Sequence, residues 1–185
     1  MKKKLIPTVV ISFIILFSCS GPSSLYKFDT ELTSDKANSK TTDLSVSIPR
    51  GWFTAEDNHD KKIDLWLIKD DYSATISFVR INPDKESLTG SKRNGIKKIK
   101  EYSILNNKLI QRDKFIDLLK NETFELNDRE IEVYQFTGSK YLYRTAVFPY
   151  ENVYYECIAS IKPDVSQENI AQIFSTQNSV LKSIK

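Results

Sequence analysis

Histidine is almost missing from this sequence. Its 185 residues include one histidine, two cysteines, one methionine and five glycines. A Ser-His-Asp site would have to use His59, and no Gly-x-Ser-x-Gly elbow accompanies it. Glu56, Asp57, His59 and Asp60 lie close together. Neither EF-hand nor zinc spacing is present, however, so the stretch reads as a solvated acidic loop. Gly90 and Gly95 have the separation of a phosphate-binding loop, yet Ile96 and Lys97 follow where Lys-Ser/Thr is required. Asp70-Asp71 reads as a turn, and Glu130 and Glu132 as the solvent face of a strand, so no acid–base pair stands out. The sequence identifies no catalytic, cofactor-binding or metal-ligating residue, and the expectation is a protein that is not an enzyme.

Also missing is an apolar run of about 20 residues, the length a spanning helix needs. The longest such run, Leu5 to Phe17, is shorter and follows Lys2-Lys3-Lys4. A positive start and a short apolar core read as a signal peptide over residues 1–18. Of the 27 basic side chains three belong to that leader, so the remainder is level with the 24 acidic ones. The basic balance therefore belongs to the targeting segment, and a nucleic-acid partner is not expected.

With two cysteines in an exported chain, one disulfide would be the ordinary reading. Cys19, however, ends Leu16-Phe17-Ser18-Cys19, which resembles the lipobox of bacterial lipoproteins. The resemblance implies cleavage before Cys19 and acylation of that residue. Two or three acyl chains hold a protein on a membrane durably where one does not. It also implies a cell-envelope location, and Ser20 after the cysteine fits an outer membrane, facing the periplasm. Cys157 is then left without a partner. It shares a strand face with Val153, Tyr155, Ala159 and Ile161, as a buried and inert small hydrophobe.

What is abundant is strand-forming: nine Tyr and ten Phe within 40% hydrophobic and 28% charged residues. Residues 19–43 are rich in Ser, Thr, Lys, Asp and Asn, and read as a lipidated N-terminus and flexible tether reaching about 25–30 Å. Leu25-Tyr26-Lys27-Phe28 interrupts it, as a patch that could dock on the domain. The folded domain is expected over 44–185, starting with the alternation of Leu44-Ser45-Val46-Ser47-Ile48. Strands follow at Ile63–Lys69, where Trp66 and Ile68 suggest cover on the second face, and at Ser73–Asn82. A helix falls between Glu86 and Leu109, with Ile96, Ile99 and Tyr102 at helical spacing. Its basic run from Lys92 to Lys100 could meet anionic lipid headgroups or an acidic partner, but reads first as a solvated face balanced by Glu122, Glu125, Asp128, Glu130 and Glu132. Phe115–Leu119 is too short to type.

Strands return at Glu122–Leu126, Glu130–Thr137, Tyr141–Phe148 and around Cys157, with Asn127-Asp128 as a hairpin turn. Asp164 or Ser166 caps a last helix whose stripe is Ile170, Ile173, Phe174, Leu181 and Ile184. A polar stretch, Ser175–Ser179, interrupts that stripe. This order implies an α+β domain with a mainly antiparallel sheet. Trp52 and Trp66 could line a ligand cleft, but in a strand-rich domain they read as core residues.

The opening Ile48-Pro49-Arg50-Gly51-Trp52 and the ending Val180-Leu181-Lys182-Ser183-Ile184 together resemble the PsbP/Mog1 superfamily, over Leu44 to Lys185. The resemblance implies an α/β/α sandwich around an antiparallel sheet, and mostly non-catalytic relatives. The functional expectation is a membrane-anchored, non-enzymatic envelope lipoprotein whose PsbP-like domain binds a protein partner. The alternative is an envelope carrier of a small apolar ligand.

Overall fold

The computed structural model describes residues 23–55, 62–82, 95–138 and 140–184. The signal peptide, Cys19, the His59 loop, Lys92 and Arg93 lie outside the described residues.

Strands β1 (Leu32–Asn38) and β2 (Ser45–Pro49) form an antiparallel hairpin. Seven further strands build one sheet: β3 (Trp52–Thr54), β4 (Leu65–Lys69), β5 (Ala74–Ile81), β6 (Phe115–Leu126), β7 (Arg129–Gly138), β8 (Leu142–Tyr150) and β9 (Val153–Ile161). Their spatial order is β3-β4-β5-β9-β8-β7-β6, and every neighbouring pair is antiparallel. Helix α1 (Gly95–Gln111) packs over β7 and β8, while α2 (Gln167–Lys182) packs against β2 and β9.

The result is the expected α+β sandwich, because alternation along each strand supplies two apolar faces. One face carries Ile76, Phe78, Val133, Phe148, Tyr155 and Cys157, covered by Ile173, Phe174 and Leu181 of α2 and by Val46 of the hairpin. The other carries Tyr134, Phe136 and Val147 beneath Ile96 and Ile99 of α1. Turns obey the local chemistry. Asn127 and Asp128 both take positive φ, as a two-residue hairpin loop requires, and the Ser166 hydroxyl caps α2 by accepting from the Asn169 amide at 3.3 Å.

Several expectations change. Phe115–Leu119 and Glu122–Leu126 are one long edge strand, β6, whose register slips twice, between Phe115 and Asp117 and between Leu118 and Lys120. Such bulges break the alternation that a strand is recognised by. Glu132, expected on a solvent face, is fully buried under α1, where it accepts from Lys100 Nζ at 2.5 Å and Thr123 Oγ1 at 2.9 Å. The tether expected over 19–43 is, from residue 23 onward, part of the fold. Residues 32–38 form β1, and Tyr26 and Phe28 pack on the core without forming a strand.

A buried charge explains this docking. Arg144 lies on the inner face of β8 with no exposure. Its Nε donates to Glu122 Oε1 at 3.1 Å, and its Nη1 donates to Gln177 Oε1 at 2.6 Å and Asn178 Oδ1 at 3.0 Å. The guanidinium also sits over the rings of Tyr26 and Phe174, at 5.1 and 5.5 Å. Glu122 Oε2 accepts from the Leu25 amide at 3.0 Å and Ser24 Oγ at 3.1 Å. Asn178 Nδ2 donates to the Tyr26 carbonyl at 2.9 Å, and the Thr30 amide donates to Ser179 Oγ at 3.1 Å. The polar stretch of α2 is thus the surface that residues 24–30 bond to. Glu122, expected to balance the basic helix, is buried in this network instead.

Removing one partner of a buried pair strands the other charge, at a cost of about 3–5 kcal/mol. Arg144→Ala is expected to lose that much stability in denaturant unfolding. Burial alone would raise the Glu122 carboxyl, but the charge and hydrogen bond of Arg144, with bonds from Leu25 and Ser24, hold it below its ordinary 4.5. Its stabilisation is therefore complete above pH 4.5 and lost as the pH falls through the lower folded value. A Glu122→Gln variant should show a flatter acid limb in the unfolding midpoint than the parent.

Candidate functional site

Two of the sequence elements singled out above, Pro49-Arg50-Gly51-Trp52 and the Asp70-Asp71 turn, meet at the β3 end of the sheet. Pro49 ends β2, and Gly51 takes a φ of 77° so that the chain can turn straight into β3. Trp52 then enters the core as expected, with 8% exposure. Trp66 does not: it is only half-buried, on the opposite face. The reason is that α1 covers the β7–β8 half of that face, and the expected cover over β4 is not supplied by either described helix.

The register places Phe53 opposite Ile68, and Trp66 lies two residues from Ile68 on the same face. Beside them the β4–β5 turn projects Tyr72. The Asp71 carboxylate braces this turn by accepting from the Ser73 amide at 2.9 Å, from Ser73 Oγ at 2.6 Å, and from Lys69 Nζ. The bonds from Lys69 and Ser73 hold its pKa well below the usual carboxylate range. Tyr72 takes a φ of 57°, a left-handed conformation that costs a non-glycine residue about 1–2 kcal/mol. The residue is 63% exposed, and its ring meets Phe53 edge-on at 5.9 Å. A cleft of about 300 Å³ continues the patch past Trp66 to Ser77, Tyr141 and Tyr143.

Around the rim, a larger cleft of about 660 Å³ lies between Arg50–Trp52, the β4–β5 turn and the start of α2. Arg50, Lys69 and Lys162 line it together with Asp70, Asp71 and Asp164. Mixed charge of this kind suits neither a bare anion nor a bare cation. It suits a polar rim around an aromatic contact, the arrangement that protein surfaces use for one another.

Chemistry is sparse elsewhere. Among the described residues no three His, Cys, Asp or Glu side chains gather to hold a metal. Cys157 is fully buried, and burial pushes its thiol up to about 12, so it stays protonated at neutral pH. Under α1, burial pushes Glu156 up to about 7. That value would suit a general acid–base, but Glu156 is 6% exposed and lines neither cleft. Nearby, Tyr134 Oη bonds to Ser103 Oγ at 2.6 Å and accepts from Asn107 Nδ2 at 2.8 Å, which fastens α1 to the sheet. Sequence reasoning missed both buried networks. The available signals were Arg144 in phase with Ala146 and Phe148, and Glu156 in a strand with few polar neighbours.

No protein-family profile matches the chain, and no curated protein matches it at a significant level. Solved structures do match. The solution structure of cyanobacterial PsbP (CyanoP) from Synechocystis sp. PCC 6803 superposes with a TM-score of 0.59 at 8% identity, over 82% of this chain and 91% of that one. The fold is PsbP-like. A crystal structure from Bacteroides thetaiotaomicron VPI-5482 also matches, with a TM-score of 0.41 and 11% identity, over 77% of this chain and 44% of that one. The PsbP-like sandwich leaves the β3 end of the sheet, with its aromatic patch, away from both helices' main contacts.

A carboxyl whose folded pKa is raised holds its proton more tightly in the folded state. Stability therefore falls as the pH rises from 4.5, the ordinary value, to about 7 for Glu156. Glu156→Gln is expected to flatten that decline and to raise the unfolding midpoint at pH 8. An unchanged pH profile would show that the carboxyl is not held protonated.

Proposed function

We propose that this protein is a lipid-anchored, non-enzymatic lipoprotein of the bacterial cell envelope, acylated at Cys19 and held on the outer membrane facing the periplasm. Its PsbP-like domain binds a protein partner through the aromatic patch of Phe53, Trp66 and Tyr72. The observation that carries the partner reading is Tyr72, a large aromatic held exposed in a backbone conformation that glycine would adopt without strain. Strain of this kind, at an exposed aromatic beside a polar rim, is better explained by contact than by folding.

One observation supports the carrier reading instead. A cleft of about 560 Å³ is lined by Tyr26, Leu142, Ile170 and Phe174. A small apolar ligand would be expected there, and it would co-purify with the protein.

The two readings separate in one experiment. A photo-crosslinker at Phe53 in the native host, with mass-spectrometric identification of neighbours, should recover a reproducible envelope protein. Tyr72→Gly should leave the melting temperature unchanged or higher, because it relieves backbone strain, and should abolish that crosslink. No reproducible neighbour, together with a co-purifying lipid or metabolite, would favour the carrier. The anchor has its own test: Cys19→Ala should remain unprocessed and lose acyl labelling.

A further inference from the structure

The opposite edge of the sheet carries a second exposed surface, of different chemistry. The end of α1 and the start of β6 expose Leu109, Ile110, Ile116 and Leu119, at 66, 70, 64 and 47%. Ile116 and Leu119 are the two residues skipped by the bulges of β6. Each bulge frees one residue from the pairing pattern, and here both are aliphatic and exposed. Along residues 108–120, Lys108, Arg112, Lys114 and Lys120 are exposed, against Asp113 and Asp117 in the same stretch. Aliphatic side chains interleaved with cations match a bilayer that presents anionic headgroups.

The chain's own path selects this edge. Ser24 and Leu25 are bonded to Glu122 of β6, and Leu25 is 63% exposed there. Ser24 is only five positions along the chain from Cys19, a span of at most about 18 Å even fully extended. The β3 edge lies six strand spacings away, about 29 Å across the sheet. The geometry points to a docked orientation: the β6 edge and the end of α1 lie against the anionic bilayer that holds the anchor, and the β3 edge faces away. This rests on the reading of Cys19 as the acylated residue. A second copy is a poorer occupant, because antiparallel pairing of two β6 edges would set the same cations against one another and the bulges interrupt the ladder.

The test uses full-length, processed protein reconstituted in vesicles of phosphatidylethanolamine and phosphatidylglycerol. A fluorophore is placed at Leu109→Cys, Ile116→Cys or, as the distal site, Thr54→Cys. Quenching by nitroxide-labelled lipids is expected to be several-fold stronger at residues 109 and 116 than at residue 54. Equal, weak quenching at all three sites in acylated protein would overturn the orientation while leaving the anchor intact. Shielding at residue 116 that grows with protein density without lipid quenching would assign the edge to a second copy, and would also overturn it. Mass analysis of the N-terminal peptide reads the anchor separately: without acyl chains on Cys19, the anchor reading fails and the orientation with it.

Discussion

The guanidinium of Arg144 is the point on which the rest of this structure depends. A fully buried cation is tolerable only when its donors are occupied and its charge is matched. Glu122 supplies the charge, Gln177 and Asn178 supply acceptors, and Tyr26 and Phe174 supply the ring faces. These partners come from β6, α2 and the N-terminal segment, so one side chain ties three parts of the chain together. Remaining valences are filled as well: Gln177 Nε2 donates to the carbonyls of Arg144 and Cys157, at 2.9 and 2.7 Å. Local polarity in α2 that would weaken an isolated amphipathic helix here serves to receive the N-terminus.

With Cys19 as the proposed anchor, the bonding of Ser24 to Thr30 onto the domain replaces a long tether with a short one. A free linker of some two dozen residues would average over every orientation. The proposed leash, five residues from Cys19 to Ser23 leading into a segment bonded to β6, would not. The sheet order then acquires a direction. The aliphatic and basic β6 edge stands at one end, and the aromatic β3 end, with its mixed-charge cleft, stands at the other. A module anchored and binding as proposed would use this polarity, with attachment and contact surface on opposite ends of one sheet. The seven antiparallel strands between them provide the rigidity.

Much of the fold was legible because period-2 alternation and turn chemistry agree along the chain. Leu44–Ile48, Ile63–Lys69 and the Cys157 strand fall where their alternation puts them, and Asn127-Asp128 turns as its residues prefer. The helix stripes of α1 and α2 were equally readable. Much of what failed to show has one physical cause, polar residues used inside. Ser24 and Thr30 read as part of a solvated linker by composition, yet they satisfy the polar side of α2. Glu122 and Glu132 read as surface charge because their partners, Arg144 and Lys100, are far away in sequence. The two bulges hid the first half of β6 by breaking its alternation. At the candidate site, the Gly51–Trp52 turn was visible in sequence. Tyr72 was not, since nothing local marks a tyrosine that takes positive φ.

The central claim is that residues 24–30 belong to the folded domain through the Arg144 network. Amide hydrogen exchange on the full-length protein tests it most directly. The Leu25 amide, bonded to Glu122, and the Thr30 amide, bonded to Ser179, are predicted to exchange far more slowly than in an unstructured chain, and to lose that protection in Arg144→Ala. Exchange of both amides at the rate of an unstructured chain in the parent protein would contradict the account.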